Sequence, residues 1–427
     1  MKKVNFQELL DYIPIEASIV TGMVAGQPGY FLNNLHKKSD ARNISVTLAL
    51  PLEPYEFFMN PEYRNKFILE SWYHGPFARR SQFQGTVTFI PNQLNRAGLD
   101  RQEINPPDVI VLTSPPPDRN GFFNLSLSIT YEKFLALNKK NGALVVIEVN
   151  PKLPRVMGDT FLHQSYVDYY YEVDVPLFTL QEQKPQEEEQ KIGELISKLV
   201  ENGSTIQLGI GGIPNAVAYL LENKNDLGVH TEMITESMQY LYEKGVINGK
   251  KKTLYPATMV GTFIYGSEEL YSFVNENPVI NLLPGHITND PHYIGQQYKM
   301  VSINTALMVD LTGQVCSESL GVEQISGTGG QVNFHTGAQQ SKSGKGILAL
   351  KSTAKGGSIS TIVPNLQQGS TVTLSRNDVD YIVTEFGVAR LKGKSIKDRV
   401  EILISVAHPK FREYLREEAK GIKIYNW

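Results

Sequence analysis

A single cysteine, Cys316, in 427 residues rules out an internal disulfide and any multi-cysteine zinc site, as suits a reducing compartment. One thiol reads more simply as a small buried filler than as a nucleophile. Long apolar runs are missing too. Stretches such as Ala143 to Ile147 fall far short of a membrane span, and the opening Met-Lys-Lys is followed by Val-Asn-Phe-Gln-Glu-Leu-Leu-Asp, which breaks any signal-peptide core. Nor is there an excess of positive charge. Forty-one basic residues against forty-four acidic ones give a net charge of −3, too little to hold nucleic acid. The chain therefore reads as cytosolic, with no membrane and no nucleic-acid partner.

The apolar share of 41% and the charged share of 20% suit a soluble globular protein, and the length suits two domains. Strand-like runs such as Val109-Ile-Val-Leu112 alternate with helix-like stretches, which predicts α/β architecture with largely parallel sheets. The boundary is expected in the polar stretch from Gln181 to Gln190, giving domains at 1–183 and 184–427. Beyond it, Glu187 to Glu189 form an acidic first helical turn, and Ile192, Leu195, Ile196, Leu199 and Val200 share one helix face.

The chain also echoes itself. Ile19-Val-Thr-Gly22-Met-Val-Ala-Gly26 resembles Ile206-Gln-Leu-Gly209-Ile-Gly-Gly212, and Asp118-Arg-Asn-Gly121 is matched by Asp310-Leu-Thr-Gly313 at nearly equal spacing. Two similarly folded open α/β domains are the expectation, an internal duplication with the active site between them.

Several segments could carry chemistry. The turn Gly209-Ile-Gly211-Gly212-Ile213-Pro214 runs from a strand into a helix, and serves equally as an anion site or as a structural turn. Its glycine pattern is incomplete as a nucleotide fingerprint, which disfavours a dehydrogenase. In His230-Thr-Glu232 the carboxylate precedes a helix whose dipole would keep it ionised; locally, helix capping is the simpler reading and a nucleophile the alternative. Glu236 reads as a first-turn helix acid. Ser326-Gly327-Thr-Gly329-Gly330 could turn successive N–H groups toward an oxyanion or phosphate, or be a flexible turn. Lys250-Lys-Lys252 is most simply a solvated loop, and His230 and His335 have no metal-ligand spacing, so no metal is expected.

Taken in order, Gly209 to Pro214, His230-Thr-Glu232-Met, Ile287-Thr-Asn289-Asp-Pro291, Ser302-Ile-Asn304, Gly329-Gly-Gln-Val-Asn-Phe334, Val383-Thr-Glu385-Phe-Gly-Val-Ala389 and Ala407-His-Pro-Lys-Phe-Arg412 resemble the acetyl-CoA hydrolase/transferase family. The likeness is greatest to its 4-hydroxybutyrate and butyrate CoA-transferases, and includes Glu148-Val-Asn150 and Pro154-Arg-Val-Met-Gly158-Asp159. The resemblance implies that Glu232 is a covalent nucleophile, and that Gly329 and Gly330 supply oxyanion donors with Asn289 nearby. It implies that Glu385 and Gln27 line the substrate pocket, and that Gly209, Gly211, Gly212, Ile213, Pro214, Gly327 and Gly330 face coenzyme A. CoA would be a substrate, with no cofactor permanently bound. The implied reaction moves CoA from an acyl-CoA to a short-chain carboxylate through a glutamyl-CoA thioester. An acyl-CoA hydrolase and a non-catalytic CoA-binding protein are the rival readings, and a homodimer is the assembly to test. Gln27, Asn333 and Glu236-Ser237 depart from the family pattern, which bears on the choice of acid.

Overall fold

Six consecutive buried residues, Val109-Ile-Val-Leu-Thr-Ser114, form a strand covered on both faces, as such a run requires in a parallel sheet. In the computed structural model, which describes residues 1–181 and 184–421, this strand lies inside an eight-stranded sheet. The order is Lys2–Lys3, Tyr169–Glu172, Leu144–Val149, Val109–Ser114, Ser18–Thr21, Ile44–Ala49, Phe67–Tyr73 and Val87–Phe89, with every neighbouring pair parallel. After the edge strand Lys2–Lys3 the chain enters near the middle at Ser18–Thr21, works outward to the far edge, then returns to Val109–Ser114 and works outward through Leu144–Val149 and Tyr169–Glu172 to meet Lys2–Lys3. Such a reversal opens a crevice at the carboxyl ends of the central strands.

The second unit repeats this plan. Its strands run Gly228–His230, Thr205–Leu208, Met300–Thr305, Lys345–Ala349, Tyr381–Thr384 and Gly387–Arg390, all parallel except the final hairpin. The reversal falls between Thr205–Leu208 and Met300–Thr305. The Asp-x-x-Gly segments fold alike. Asp118 accepts the N–H groups of Asn120 and Phe122, and Asp310 those of Thr312 and Gln314, all within 2.9 to 3.0 Å. Gly121 and Gly313 both take the left-handed backbone that closes the turn, with φ of 80° and 94°.

The chain does not divide at one point. Glu182 and Gln183, where the boundary was expected, lie outside the described residues. The first compact unit holds residues 1–181 and also takes back Met233–Glu236 and Val260–Thr288. A backbone ladder fixes the longer of these segments there. Ile129 donates to Thr262, Ile264 to Leu127, and Leu282 to Met157, at 2.8 to 3.0 Å. Gly158 belongs to this ladder, and a side chain on it would lie 2.2 Å from the Leu282 carbonyl oxygen. Beyond the boundary a helix spans Glu187–Ser197, opened by a capping box between Gln186 and Glu189. No helix among the described residues is long and apolar enough to cross a membrane.

Candidate active site

The strand Gly228–His230 ends two residues before Glu232, so its carboxyl end delivers that side chain. Asn289 donates its Nδ2 to Glu232 Oε2 at 2.8 Å, and the Gly330 N–H donates to the same carboxylate. Asn289 is fully buried, and its Oδ1 has no hydrogen-bond partner among the described residues. Asp290 caps the helix Pro291–Gly295 by accepting the His292 N–H at 2.8 Å, which anchors the segment just after Asn289.

Gly329 and Gly330 have different tasks. Gly329 has φ of 56°, the left-handed turn that brings the loop round. Gly330 is required for close approach: a Cβ there would lie 1.9 Å from Glu232 Oε2 and 2.3 Å from Asn289 Nδ2. Any side chain would therefore strike the Glu232 carboxylate itself. Gly330 also opens the ten-residue helix Gln331–Gln340, whose N-terminal dipole therefore acts at Glu232, whereas the strand Met233–Ile234 separates Glu232 from the helix Glu236–Glu243.

The dipole does not decide the protonation of Glu232. Burial of the carboxylate, only partly offset by Asn289 and by the Gly330 N–H, lifts its pKa from 4.5 to about 7. That value corrects the expectation of a carboxylate simply kept ionised, because desolvation outweighs two hydrogen bonds. A carboxylate poised near neutrality is of the kind that functional sites use.

The Gly209 turn is built more tightly than its sequence suggests. A side chain on Gly209 would meet Asn304 Oδ1 at 2.9 Å. Asn304 belongs to a buried net in which Gln207 Oε1 accepts from Ser302 Oγ at 2.6 Å and Asn304 Nδ2 at 3.0 Å. Gly211 has φ of 123° and open space around its α-carbon. Gly212 begins the helix that contains Ile213 and Pro214, and the Glu189 carboxylate sits where its side chain would be, 2.4 Å from an added Cβ. The chain itself thus puts an anion at this helix N-terminus.

Other expected residues are placed as follows. Gln27 is buried, donating to the Leu50 carbonyl at 2.7 Å and accepting from the Tyr55 hydroxyl at 2.9 Å. It borders a cavity of about 280 Å³ in the first unit, together with Tyr30, Glu53, Thr113, Glu148 and Asn150. Glu385 accepts the Ser352 N–H at 2.9 Å and its hydroxyl at 2.5 Å. Gly327 accepts from Ser326 Oγ at 3.3 Å. His230 Nδ1 lies 3.1 Å from Gln297 Nε2, and because that amide nitrogen can only donate, His230 carries its proton on Nε2. His335 is buried, with its pKa pushed down to about 3 by desolvation. Cys316 is buried beside the Ser319 carbonyl. Among the described residues no cluster of His, Cys, Asp and Glu could hold a metal ion.

Two expectations change. Lys252 is not solvated: it is 5% exposed, donates to the Thr258 carbonyl at 2.8 Å, and is pushed down to about 7 by burial, while Lys250 and Lys251 are exposed. Glu236 is more than a first-turn acid, since it accepts the Ser267 N–H. Sequence reasoning passed over Glu318 and Gln207. A charged residue among small neighbours in Cys316-Ser-Glu318-Ser was the available signal for the first; Gln207 offered none, its partners being 95 and 97 residues away.

Residues 2–177 match the acetyl-CoA hydrolase/transferase N-terminal domain and residues 266–419 the C-terminal domain of that name. The chain is similar to the 4-hydroxybutyrate coenzyme A transferase of Clostridium kluyveri, with 41% identity covering 98% of this chain and 97% of that protein. Among solved structures, RipA from Yersinia pestis superposes with a TM-score of 0.93 at 32% identity, covering 99% of this chain and 98% of its own. A 4-hydroxybutyrate CoA-transferase from Porphyromonas gingivalis gives 0.81 at 36%, covering 97% and 96%.

Proposed function

The chain belongs to the acetyl-CoA hydrolase/transferase family, and from that premise we propose that it transfers coenzyme A from an acyl-CoA to a short-chain carboxylate, with Glu232 as the covalent nucleophile. The relatives' names support acids of the 4-hydroxybutyrate, butyrate and acetate class. The observation that carries the reading is the Glu232 carboxylate, desolvated, with Asn289 and the Gly330 N–H both aimed at it.

Asn289 occupies Oε2, so Oε1 makes the attack. Oε1 adds to the thioester carbonyl of acyl-CoA; the C–S bond breaks, leaving an acyl-glutamyl anhydride and CoA thiolate. The thiolate adds to the glutamyl carbonyl, the acyl group departs as its carboxylate, and a glutamyl-CoA thioester remains. An acceptor carboxylate then reverses the sequence and leaves as acyl-CoA, restoring free Glu232. Addition to the glutamyl carbonyl places negative charge on Oε2, which Asn289 already holds at rest, and one such donor is typically worth about 3 kcal/mol. No step requires a metal, because the carboxylate is the nucleophile and thiolate leaves readily. The remote parts of CoA offer binding energy for positioning the reacting atoms.

Incubation with acyl-CoA and no acceptor should add CoA to the peptide containing Glu232, and borohydride should reduce that thioester to a primary alcohol, releasing CoA and leaving a permanent mark on Glu232. Glu232→Ala should lose both adduct and transfer. Transfer at the parental rate in Glu232→Ala would overturn the reading, and capture of the adduct by water rather than by added carboxylate would identify a hydrolase instead.

A further inference from the structure

Glu318 takes no part in the chemistry above, yet it is one of the more costly side chains in the second unit. It is 4% exposed, and its partners are neutral hydroxyl and amide donors rather than a cation: Thr373 Oγ1 at 2.8 Å and Thr328 Oγ1 at 3.2 Å on Oε1, Gln324 Nε2 at 3.2 Å on Oε2. Burying a carboxylate without a countercharge is unfavourable unless its acceptor sites are filled, and a neutral side chain here would avoid the penalty. The backbone of the same residue is engaged as well. Its carbonyl accepts the N–H groups of Ile325 and Ser326 at 2.7 and 3.1 Å.

These bonds all point to one stretch of chain. Gln324, Ile325, Ser326 and Thr328 lead directly into Gly329 and Gly330, whose N–H meets Glu232. A run with three glycines among residues 327 to 330 has few side chains with which to fix its own position, so that position must be imposed from outside. Thr373 ties the other side of Glu318 down, its Oγ1 also accepting the Ser317 N–H at 3.0 Å. Glu318 thus bridges the Thr373 segment and the glycine loop.

We propose that Glu318 is a positioning residue that holds the Ser326 to Gly330 loop through Thr328, so that the Gly330 N–H is aimed at Glu232 through each addition and departure. The inference rests on the reading of Glu232 and Gly330 given above. A donor displaced by about 1 Å can cost on the order of a hundredfold in rate, so a single hydroxyl bond can matter to turnover while contributing little to stability.

The test compares Glu318→Gln, Thr328→Val, Thr328→Ser and the double variant Glu318→Gln/Thr328→Val in the full-length protein. Thr328→Val keeps the side-chain shape and removes the hydroxyl; Thr328→Ser keeps the hydroxyl. Glu318→Gln and Thr328→Val should each lower kcat and kcat/KM together, by about tenfold or more, the signature of an interaction made in the transition state. Melting temperature should stay near the parental value in Thr328→Val, and Thr328→Ser should restore most of the rate. The double variant should be no slower than the worse single one, because both substitutions break the same link. Rates within about twofold of the parent in both single variants, or losses that multiply in the double, would overturn the proposal. Should Glu318→Gln fail to fold, the valine and serine pair decides alone. Adduct formation on Glu232 separates this inference from the one beneath it. If the parent forms the adduct and the variants form it equally fast, only the role of Glu318 falls; if the parent forms none, both fall.

Discussion

Each unit contains a glutamate beside the start of a helix, Glu148 buried and Glu232 half-buried, and desolvation lifts both to about 7. In the first unit Glu148 accepts the N–H groups of Tyr30 and Phe31, at the start of the helix Gly29–Asn34, and the Tyr171 hydroxyl at 2.5 Å. Those three bonds use both oxygens. In the second unit Glu232 has Asn289 on Oε2 and the Gly330 N–H, with a glycine where a side chain would fill the remaining space. The raised pKa therefore does not by itself set Glu232, the proposed nucleophile, apart from Glu148. The difference lies in how many donors hold each carboxylate, and in a neighbour small enough to let the loop backbone approach Glu232.

The harshest way to break this contrast is to remove the room. Gly330→Ala should lower turnover by at least about a hundredfold, since its methyl would lie 1.9 Å from Oε2 and force Glu232 or Asn289 aside. Near-parental turnover would mean that the backbone donor lies elsewhere. Such a variant displaces the nucleophile along with the donor, so Asn289→Ala is the cleaner probe of oxyanion stabilisation. It should lower kcat by about a hundredfold while the protein still unfolds cooperatively.

Acidity sharpens the contrast at an intermediate level. Attack requires ionised Glu232, so kcat/KM should fall about tenfold per pH unit below pH 7. Both carboxylates have folded pKa values above the unfolded 4.5, so the stability each contributes is complete below pH 4.5 and is lost as pH rises through about 7. Each accounts for on the order of 3 kcal/mol of that decline. Glu232→Gln and Glu148→Gln should flatten the fall in melting temperature between pH 4.5 and 8 by similar amounts, measured against the parent. Glu148→Gln should keep the parental acid limb of kcat/KM. An acid limb that moved with Glu148 would show that the first-unit carboxylate also takes part in the chemistry.

The smallest effect belongs to Gln27. Its Nε2 donates to the Leu50 carbonyl, so Gln27→Glu loses that bond and adds charge at the cavity wall. A change of a few-fold in preference among acetate, butyrate and 4-hydroxybutyrate is expected, with turnover on the best acid little altered. Unchanged ratios would remove Gln27 from the choice of acid.

The repeated α/β plan was legible because its signals are local: an apolar run such as Val109 to Ser114, a glycine turn after it, and an Asp-x-x-Gly turn whose two copies make the same hydrogen bonds. Glu232, Asn289 and Gly330 were legible through the family pattern. The helix that opens at Gly330 was not credited with the field at Glu232, since it begins about a hundred residues later in sequence. Gln207, Ser302 and Asn304 were opaque for the same reason: a polar net across strands leaves no period along either one. Glu189 read as an ordinary first-turn acid, which it is; only the fold reveals that it also faces Gly212.

The return of Val260–Thr288 to the first unit has a consequence for how the molecule is made. A ribosome that has released Gln181 has not yet supplied Thr262, Ile264 or Leu282, the strand partners awaited by Ile129, Leu127 and Met157. At about 5–20 residues per second the nascent first unit waits several seconds or more with those backbone groups unpaired. A gene cut at the linker would leave that gap permanent in one fragment and strand the missing segment in the other, so the two halves should be soluble only when produced as one chain.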